Sequence, residues 1–283
     1  MHDPRHLREH LETLRRSQQR IGLVPTMGAL HEGHLSLVRA SLNRCDTTIV
    51  SIFVNPSQFG PNEDFQKYPR TLDADIALLE TLGDIIVFAP AADAVYPAGY
   101  DSWVEVGGVT SILEGAVRPG HFRGVATIVL KLFLMTGADE AFFGQKDYQQ
   151  VTVIRNMATD LNVPTGITLC PIIREPDGLA MSSRNRYLTP DERRRATVLF
   201  RSLQIAEQMI VEQKVRDVEE ICRAMRQAIE SEGDIVIDYV VVADPHLREL
   251  RELDSQQGAE IVILLAARVG MTRLIDNMIC RVP

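Results

Sequence analysis

The sequence predicts an α/β protein, a doubly wound parallel sheet followed by a second, smaller α+β domain. Three observations lead there. Short apolar runs alternate with helical patterns through the first half of the chain. The run 47–54 (TTIVSIFV) is β-branched and apolar on both faces at its end, as a central parallel strand is. After Glu175-Pro176-Asp177-Gly178, a turn or hinge, the texture changes to two long helical patterns and then three strands.

Asp3 and Pro4 have the types of an N-cap and a first helical residue, and open a helix to about Arg16. Residues 21–25 (IGLVP) read as a strand. From 34 to 43, Leu35, Leu37, Val38 and Leu42 keep helical spacing. Strand 47–54 follows, then a helix over 71–82 and a strand over 85–88 (IIVF). Residues 122–136 and 147–161 read as helices around a strand at 140–143 (EAFF). The run 167–173 (ITLCPII) reads as a strand, with Pro171 marking an irregularity near its end. Helices over 190–212 and 215–231 and strands over 237–243, 260–266 and 274–279 complete the chain. The expected domains are 1–175 and 176–283.

The 283 residues are 45% hydrophobic and 24% charged, which fits a soluble globular protein. A net charge of −8 argues against nucleic acid or an anionic membrane as partner. Cys45, Cys170, Cys222 and Cys280 form no CxxC and no zinc-finger spacing, so they read as reduced thiols in a reducing compartment. The N-terminus MHDPRHLREHLETLRR has no apolar core of a signal peptide, and no run approaches the length of a membrane helix. A cytoplasmic location is expected.

Parallel sheets bind ligands beyond the carboxyl ends of their strands. The loops after 25, 54, 143 and 173 therefore carry the functional expectation. In the first, PTMGALHEGH, Gly28 and Gly33 let backbone approach a ligand, and His34 sits near a helix N-terminus where N–H groups favour anions. His31 and His34 then add two imidazole donors. The spacing HEGH is not the HExxH of a metalloprotease, so phosphate binding is preferred to a metal site. In the second, Asn55 and Gln58 present amides that orient hydroxyls and carboxylates; a plain polar turn is the alternative. In the third, FGQKDYQQ, Lys146 supplies a mobile positive charge, Asp147 can cap a helix and Gln150 lies one turn in. No GxxxxGK[ST] is present. In the fourth, Gly178 to Asn185, two serines and Arg184 form an anion grip or an ordinary helix entry. The segment RPGHFRG (118–124) is a fifth candidate. His6 and His10 read as a solvated helix face. Four anion-favouring loops at the expected end of one sheet point to a nucleotide-phosphate enzyme.

Taken together, PTMGALHEGH, FVNPSQF, YPRT, RPGHFRGV, FGQKDYQQ, DGLAMSSRN and RLIDN resemble the pantothenate synthetase (pantoate–β-alanine ligase) family, within the nucleotidylyltransferase-like superfamily marked by HxGH. The motifs keep the family's order over roughly residues 25 to 277. The resemblance implies a Rossmann-like N-terminal domain, a smaller C-terminal lid and a homodimer. It implies that pantoate and ATP form pantoyl adenylate and pyrophosphate, and that β-alanine then gives pantothenate and AMP. Magnesium would accompany ATP, with no organic prosthetic group. By resemblance Met27, Gly28, Ala29, Leu30, His31, Glu32, Gly33 and His34 bind ATP, as do Gly144, Gln145, Lys146, Asp147, Ile173, Met181, Ser182, Ser183 and Arg184. His34, His31, Lys146, Ser182 and Arg184 carry the catalytic expectation, Gln58, Gln150 and Asn55 the pantoate or amine contacts, and Asp75 a place near magnesium. The rival readings are another nucleotidylyltransferase, a hydrolase with a metal on His31, Glu32 and His34, and a noncatalytic nucleotide-binding or RNA-binding protein.

Overall fold

Five strands form a parallel sheet: β1 (Ile21–Thr26), β2 (Thr47–Ile52), β3 (Ile85–Phe88), β4 (Glu140–Gly144) and β5 (Gly166–Cys170). Their spatial order is β3-β2-β1-β4-β5, so the strand order reverses between β1 and β4. The helices are α1 (Pro4–Arg16), α2 (Glu32–Leu42), α3 (Leu72–Glu80), α4 (Ala92–Val95), α5 (Glu114–Val117), α6 (His121–Thr136) and α7 (Tyr148–Asp160). After them come α8 (Pro190–Arg195), α9 (Val198–Val211) and α10 (Val218–Glu230). The strands β6 (Ile235–Ala243), β7 (Glu260–Val269) and β8 (Thr272–Arg281) form a separate antiparallel sheet in that order. This is a computed structural model, and it describes residues 1–61 and 63–283. The chain divides into two compact units, residues 1–145 with 149–171, and residues 146–148 with 172–283.

Strand periodicity explains how the first unit buries both faces of its sheet. Side chains alternate across a strand. Leu23, Ile49 and Phe143 join a core with Leu7 and Leu11 of α1 and Val129 and Phe133 of α6. Their neighbours Val24, Val50 and Phe142 join another with Leu35 and Val38 of α2. A Cβ on Gly22 would lie 2.2 Å from Ser41 Oγ, so this glycine lets α2 lie close on β1.

Pro25 stands in the middle strand of the sheet, where its missing N–H removes a ladder donor. The pairing accommodates it. β1 follows β2 through Thr26↔Ile52, but it pairs with β4 only at Gly22↔Glu140 and Leu23↔Ala141. The β1–β4 ladder thus ends early at the point of strand reversal, on the side where a doubly wound sheet takes its ligand.

In the second unit α9 and α10 cover the antiparallel sheet, with Leu199, Leu203, Ile221, Met225, Ile263 and Leu265 in the core. The short helices α4 and α5 are not in the sequence reading, the strand expected over 47–54 ends at Ile52, and two further elements differ from it. The expected strand 167–173 ends at Cys170, immediately before Pro171. The expected helix 190–212 is two helices, broken at Ala196-Thr197. The first has its own start signal, a Thr189–Glu192 capping box with Pro190 in the first turn. Neither glycine nor proline marks the break, so periodicity alone runs across it.

Helix α6 also sets the loop after β2. A Cβ on Gly124 would lie 2.2 Å from the carbonyl oxygen of Ser57 and 2.7 Å from Gln58 N. Backbone atoms cannot swing aside as a side chain can. Gly124→Ala is expected to lower the unfolding free energy by about 1–3 kcal/mol, the usual cost of overpacking, as measured by urea titration.

Candidate active site

The loop after β1 carries its own architecture. Gly28 and Ala29 both take left-handed backbone angles, with φ of +81° and +52°. For alanine this conformation costs about 1–2 kcal/mol. A buried carboxylate from the first turn of α3 offsets that cost. Asp75 accepts hydrogen bonds from Ala29 N at 3.0 Å and Leu30 N at 2.8 Å, and the Thr71 hydroxyl lies 3.3 Å from each of its oxygens. Thr26 Oγ1 accepts from Gly28 N and donates to the carbonyl of Ser51. The chain is thereby delivered to His31 in a fixed direction. The resemblance sets Asp75 near magnesium; in the structure its carboxylate holds this backbone. Among the described residues no group of three or more His, Cys, Asp or Glu is arranged to hold a metal ion.

The two histidines form a reciprocal cap at the start of α2. His31 is the N-cap, and its Nδ1 accepts from Gly33 N at 3.2 Å. His34 Nδ1 accepts from His31 N at 3.3 Å. The rings lie 4.1 Å apart, tilted by 41°. This is a capping box built from imidazoles, which explains the three-residue spacing. With Nδ1 accepting in each neutral ring, the hydrogen-bond pattern assigns the ring proton to Nε2. Glu32 is exposed and paired with Arg39 on the helix surface. The donor set therefore does not suit the hydrolase reading, which needs His31, Glu32 and His34 to converge as metal ligands.

The loop after β2 holds an amide network. Asn55 is almost wholly buried. Its Oδ1 accepts from Ser57 N, the Ser57 hydroxyl and the Tyr96 hydroxyl. Its Nδ2 donates to Gln58 Oε1 at 3.1 Å and to the Gly124 carbonyl at 3.2 Å. With oxygen and nitrogen both engaged by protein, Asn55, expected from the sequence to contact substrate, also orients Gln58. Gln58 Nε2 lies 2.9 Å from the sulfur of Met27, which joins the second loop to the first. Gln150 is half-buried in the first turn of α7, and Gly144 and Gln145 close the end of β4.

The sequence reading includes His121 only as part of the fifth candidate segment, 118–124. Its Nδ1 lies 2.8 Å from the carbonyl oxygen of Gln58, and its Nε2 lies 3.0 Å from Arg118 Nη1. Arg118 also pairs with Glu63. A guanidinium can only donate, so Nε2 accepts and Nδ1–H donates to Gln58. Burial lowers the His121 pKa from its ordinary 6.5 to about 4, and the Arg118 charge pushes the same way. The signal for this residue lies in its packing against Gln58, which no local spacing encodes.

In the second unit Lys146 lies within 4.0 Å of Asp147, and its carbonyl accepts from Asn277 Nδ2 at 2.9 Å. Ile173 and Met181 face each other in a short hairpin, with Met181 N donating to the Ile173 carbonyl at 3.0 Å. Ser182 then caps a 3-10 turn, its hydroxyl accepting from Arg184 N at 3.2 Å. Ser182, Ser183 and Arg184 are all partly exposed.

Two measurements check this reading of the first unit. Asp75→Asn offers one acceptor to two N–H groups, and is expected to lower the unfolding free energy by about 1–3 kcal/mol, read by chemical denaturation. His121 contributes stability that is complete above its ordinary pKa of 6.5 and is lost as pH falls toward about 4, because the unfolded chain takes up the proton first. The loss is about 3 kcal/mol. His121→Gln is expected to flatten that part of the stability–pH curve.

Comparison with known proteins agrees with this architecture. The family model described as pantoate-beta-alanine ligase matches residues 1–279. The pantothenate synthetase of Dehalococcoides mccartyi (strain CBDB1) is 55% identical over 258 residues, 91% of this chain and 95% of that relative. That of Moorella thermoacetica is 50% identical over 276 residues, 98% of this chain and 96% of the relative. A crystal structure of pantothenate synthetase from Thermus thermophilus superposes with a TM-score of 0.90 at 42% identity, covering 98% of each chain. A pantoate-beta-alanine ligase from Francisella tularensis, crystallised with beta-gamma ATP and beta-alanine, gives a TM-score of 0.78 at 35% identity over 98% of this chain and 96% of its own. A match that spans nearly the whole chain at half identity, on the same doubly wound sheet, places this protein in the pantoate–β-alanine ligase family.

Proposed function

We propose that this chain, an ATP-dependent pantoate–β-alanine ligase, works through a pantoyl adenylate, and that its histidine cap is where ATP phosphates are handled. The observation that carries the reading is the His31–His34 pair, whose Nδ1 atoms accept from backbone and whose ring protons are thereby assigned to Nε2. Two imidazole N–H donors at a helix N-terminus suit an anion that gains charge during reaction.

A carboxylate is a poor acceptor for an amine. In the first step a pantoate carboxylate oxygen attacks the α-phosphorus of ATP, a P–O bond forms, and pyrophosphate leaves with the bonding pair. In the second the β-alanine amine attacks the acyl carbon, AMP departs with the C–O pair, and the amine loses its proton. The enzyme's task in step one is alignment and stabilisation of the charge on pyrophosphate. His34, supported by His31, donates to that charge. Lys146, Ser182 and Arg184 take further phosphate oxygens, and Ile173 and Met181 meet the adenine side. Gln58 and Gln150 hold pantoate. Gln58 is pre-set by Asn55, by the Met27 sulfur and, through its carbonyl, by His121.

Magnesium belongs to this reading as the partner of ATP. The side chains assigned here are imidazoles, amides, hydroxyls and cations, which do not make an oxygen cage, so phosphate oxygens and water would hold the ion. The same reading makes the protein a cytoplasmic homodimer acting on small molecules and not on nucleic acid. Among the described residues no helix is long and apolar enough to cross a membrane.

The test is ATP–pyrophosphate exchange without amine. Exchange that depends on pantoate is expected; exchange that does not would exclude carboxyl adenylation of this acid. His34→Ala is expected to slow it by about 10²–10³, the scale for one preorganised donor, with the fold retained by circular dichroism. Near-normal exchange in the folded variant would remove His34 from the chemistry.

A further inference from the structure

Of the motifs singled out in the sequence, RLIDN (273–277) has no role in the mechanism above. It lies on β8, the edge strand of the second sheet. An edge strand leaves backbone groups on its outer side without a ladder partner. At Asn277 they are satisfied by side chains. Asn277 N donates to Asp276 Oδ1 at 2.8 Å, and the Asn277 carbonyl accepts from Arg174 Nη2 at 3.4 Å. Arg174 forks onto the same carboxylate, with Nη1–Oδ2 at 2.6 Å and Nη2–Oδ1 at 3.0 Å. Its guanidinium lies 3.9 Å from the ring centre of Phe200 and donates to the Gly178 carbonyl. Asp276 is buried. Burial pushes its carboxyl upward, while the Arg174 fork, the Asn277 N–H and the Lys146 charge pull it back.

This cluster touches both phosphate-binding pieces of the second unit. Asn277 Nδ2 donates to the Lys146 carbonyl at 2.9 Å. Arg174 pairs through its backbone with Ala180, and the adjoining Ile173–Met181 hydrogen bond leads directly into Ser182, Ser183 and Arg184. Two consecutive residues of one strand thus tie two segments that lie far apart in sequence. A buried ion pair is seldom the best route to stability alone, since apolar residues of equal volume do as well. What a bidentate, fully engaged pair supplies is fixed geometry.

We propose that Arg174, Asp276 and Asn277 are positioning residues for the adenylation step, holding Lys146 and the Met181–Arg184 segment at a set spacing. The proposal rests on the phosphate-binding roles given above to Lys146, Ser182 and Arg184. Asn277 acts by fixing the main chain of Lys146, and Arg174 by fixing the hairpin that carries Ser182. Neither is assigned a contact with substrate.

The experiment is a double-mutant cycle on pantoate-dependent ATP–pyrophosphate exchange and on the complete ligation. Asn277→Ala is expected to lower kcat for exchange by about 10–100-fold, the scale for a small misplacement of reacting groups, with the KM for β-alanine unchanged. Combined with Lys146→Ala it is expected to add nothing, because its effect runs through Lys146. Where the alanine variant does not fold, Asn277→Asp keeps the shape, removes the amide donor and gives the same readout. Arg174→Lys keeps the charge, loses the fork, and is expected to show the same dependence on Ser182→Ala. Wild-type exchange in Asn277→Ala, or losses that multiply in the double variant, would overturn the proposal while leaving the role of Lys146 standing. Wild-type exchange in Lys146→Ala would instead overturn that role, and the proposal with it.

Discussion

One buried carboxylate holds the histidine turn in the shape on which the proposed chemistry depends. Asp75 gathers the N–H groups of Ala29 and Leu30 in a stretch where two successive residues take left-handed backbone angles. Buried N–H groups without a partner are costly, and a left-handed alanine adds to that cost. With the carboxylate in place the turn has one low-energy path, and His31 arrives as the cap of α2. The strand places the loop, the carboxylate shapes it, and the two imidazoles close it.

The remaining polar groups of the first unit follow the same pattern of support one bond behind the proposed contacts. Asn55 orients the Gln58 side chain, and His121 holds the Gln58 carbonyl. Gly124 lets α6, which carries His121, lie close to the Ser57–Gln58 backbone. A glutamine is flexible, and fixing it beforehand reduces the entropy lost when it engages a ligand. In the second unit, a strand edge supplies the equivalent support through side chains that replace a missing neighbour strand.

Much of the fold was legible because the strands carry a strong signal. The run 47–52 is β-branched and buried on both faces, and its placement inside the sheet follows from that. Gly28, read as a point of close backbone approach, takes a left-handed angle after β1, and the resemblance singles out the loops from short motifs. The break at Ala196-Thr197 was not legible, because helical spacing continues through it without glycine or proline. Asp75 and Asn55 are singled out for their chemistry, and the structure adds protein partners that the sequence does not show. Whether a carboxylate faces backbone N–H groups or a ligand is decided by residues 45 positions away, as Leu30 and Asp75 show. The same holds for His121, which lies 63 positions from Gln58. Local sequence gives the type of a side chain and the element it rides on, while its partner is a property of the packed chain.

The imidazole cap has a consequence for how this segment fails. Each hydrogen bond that starts α2 from a ring needs a bare Nδ1, so a proton placed there removes an acceptor and sets two N–H groups against each other. The first turn of α2 and the proposed phosphate donors therefore depend on one tautomer of each ring, and a side chain with no acceptor at either position would lose the helix start and the donor together.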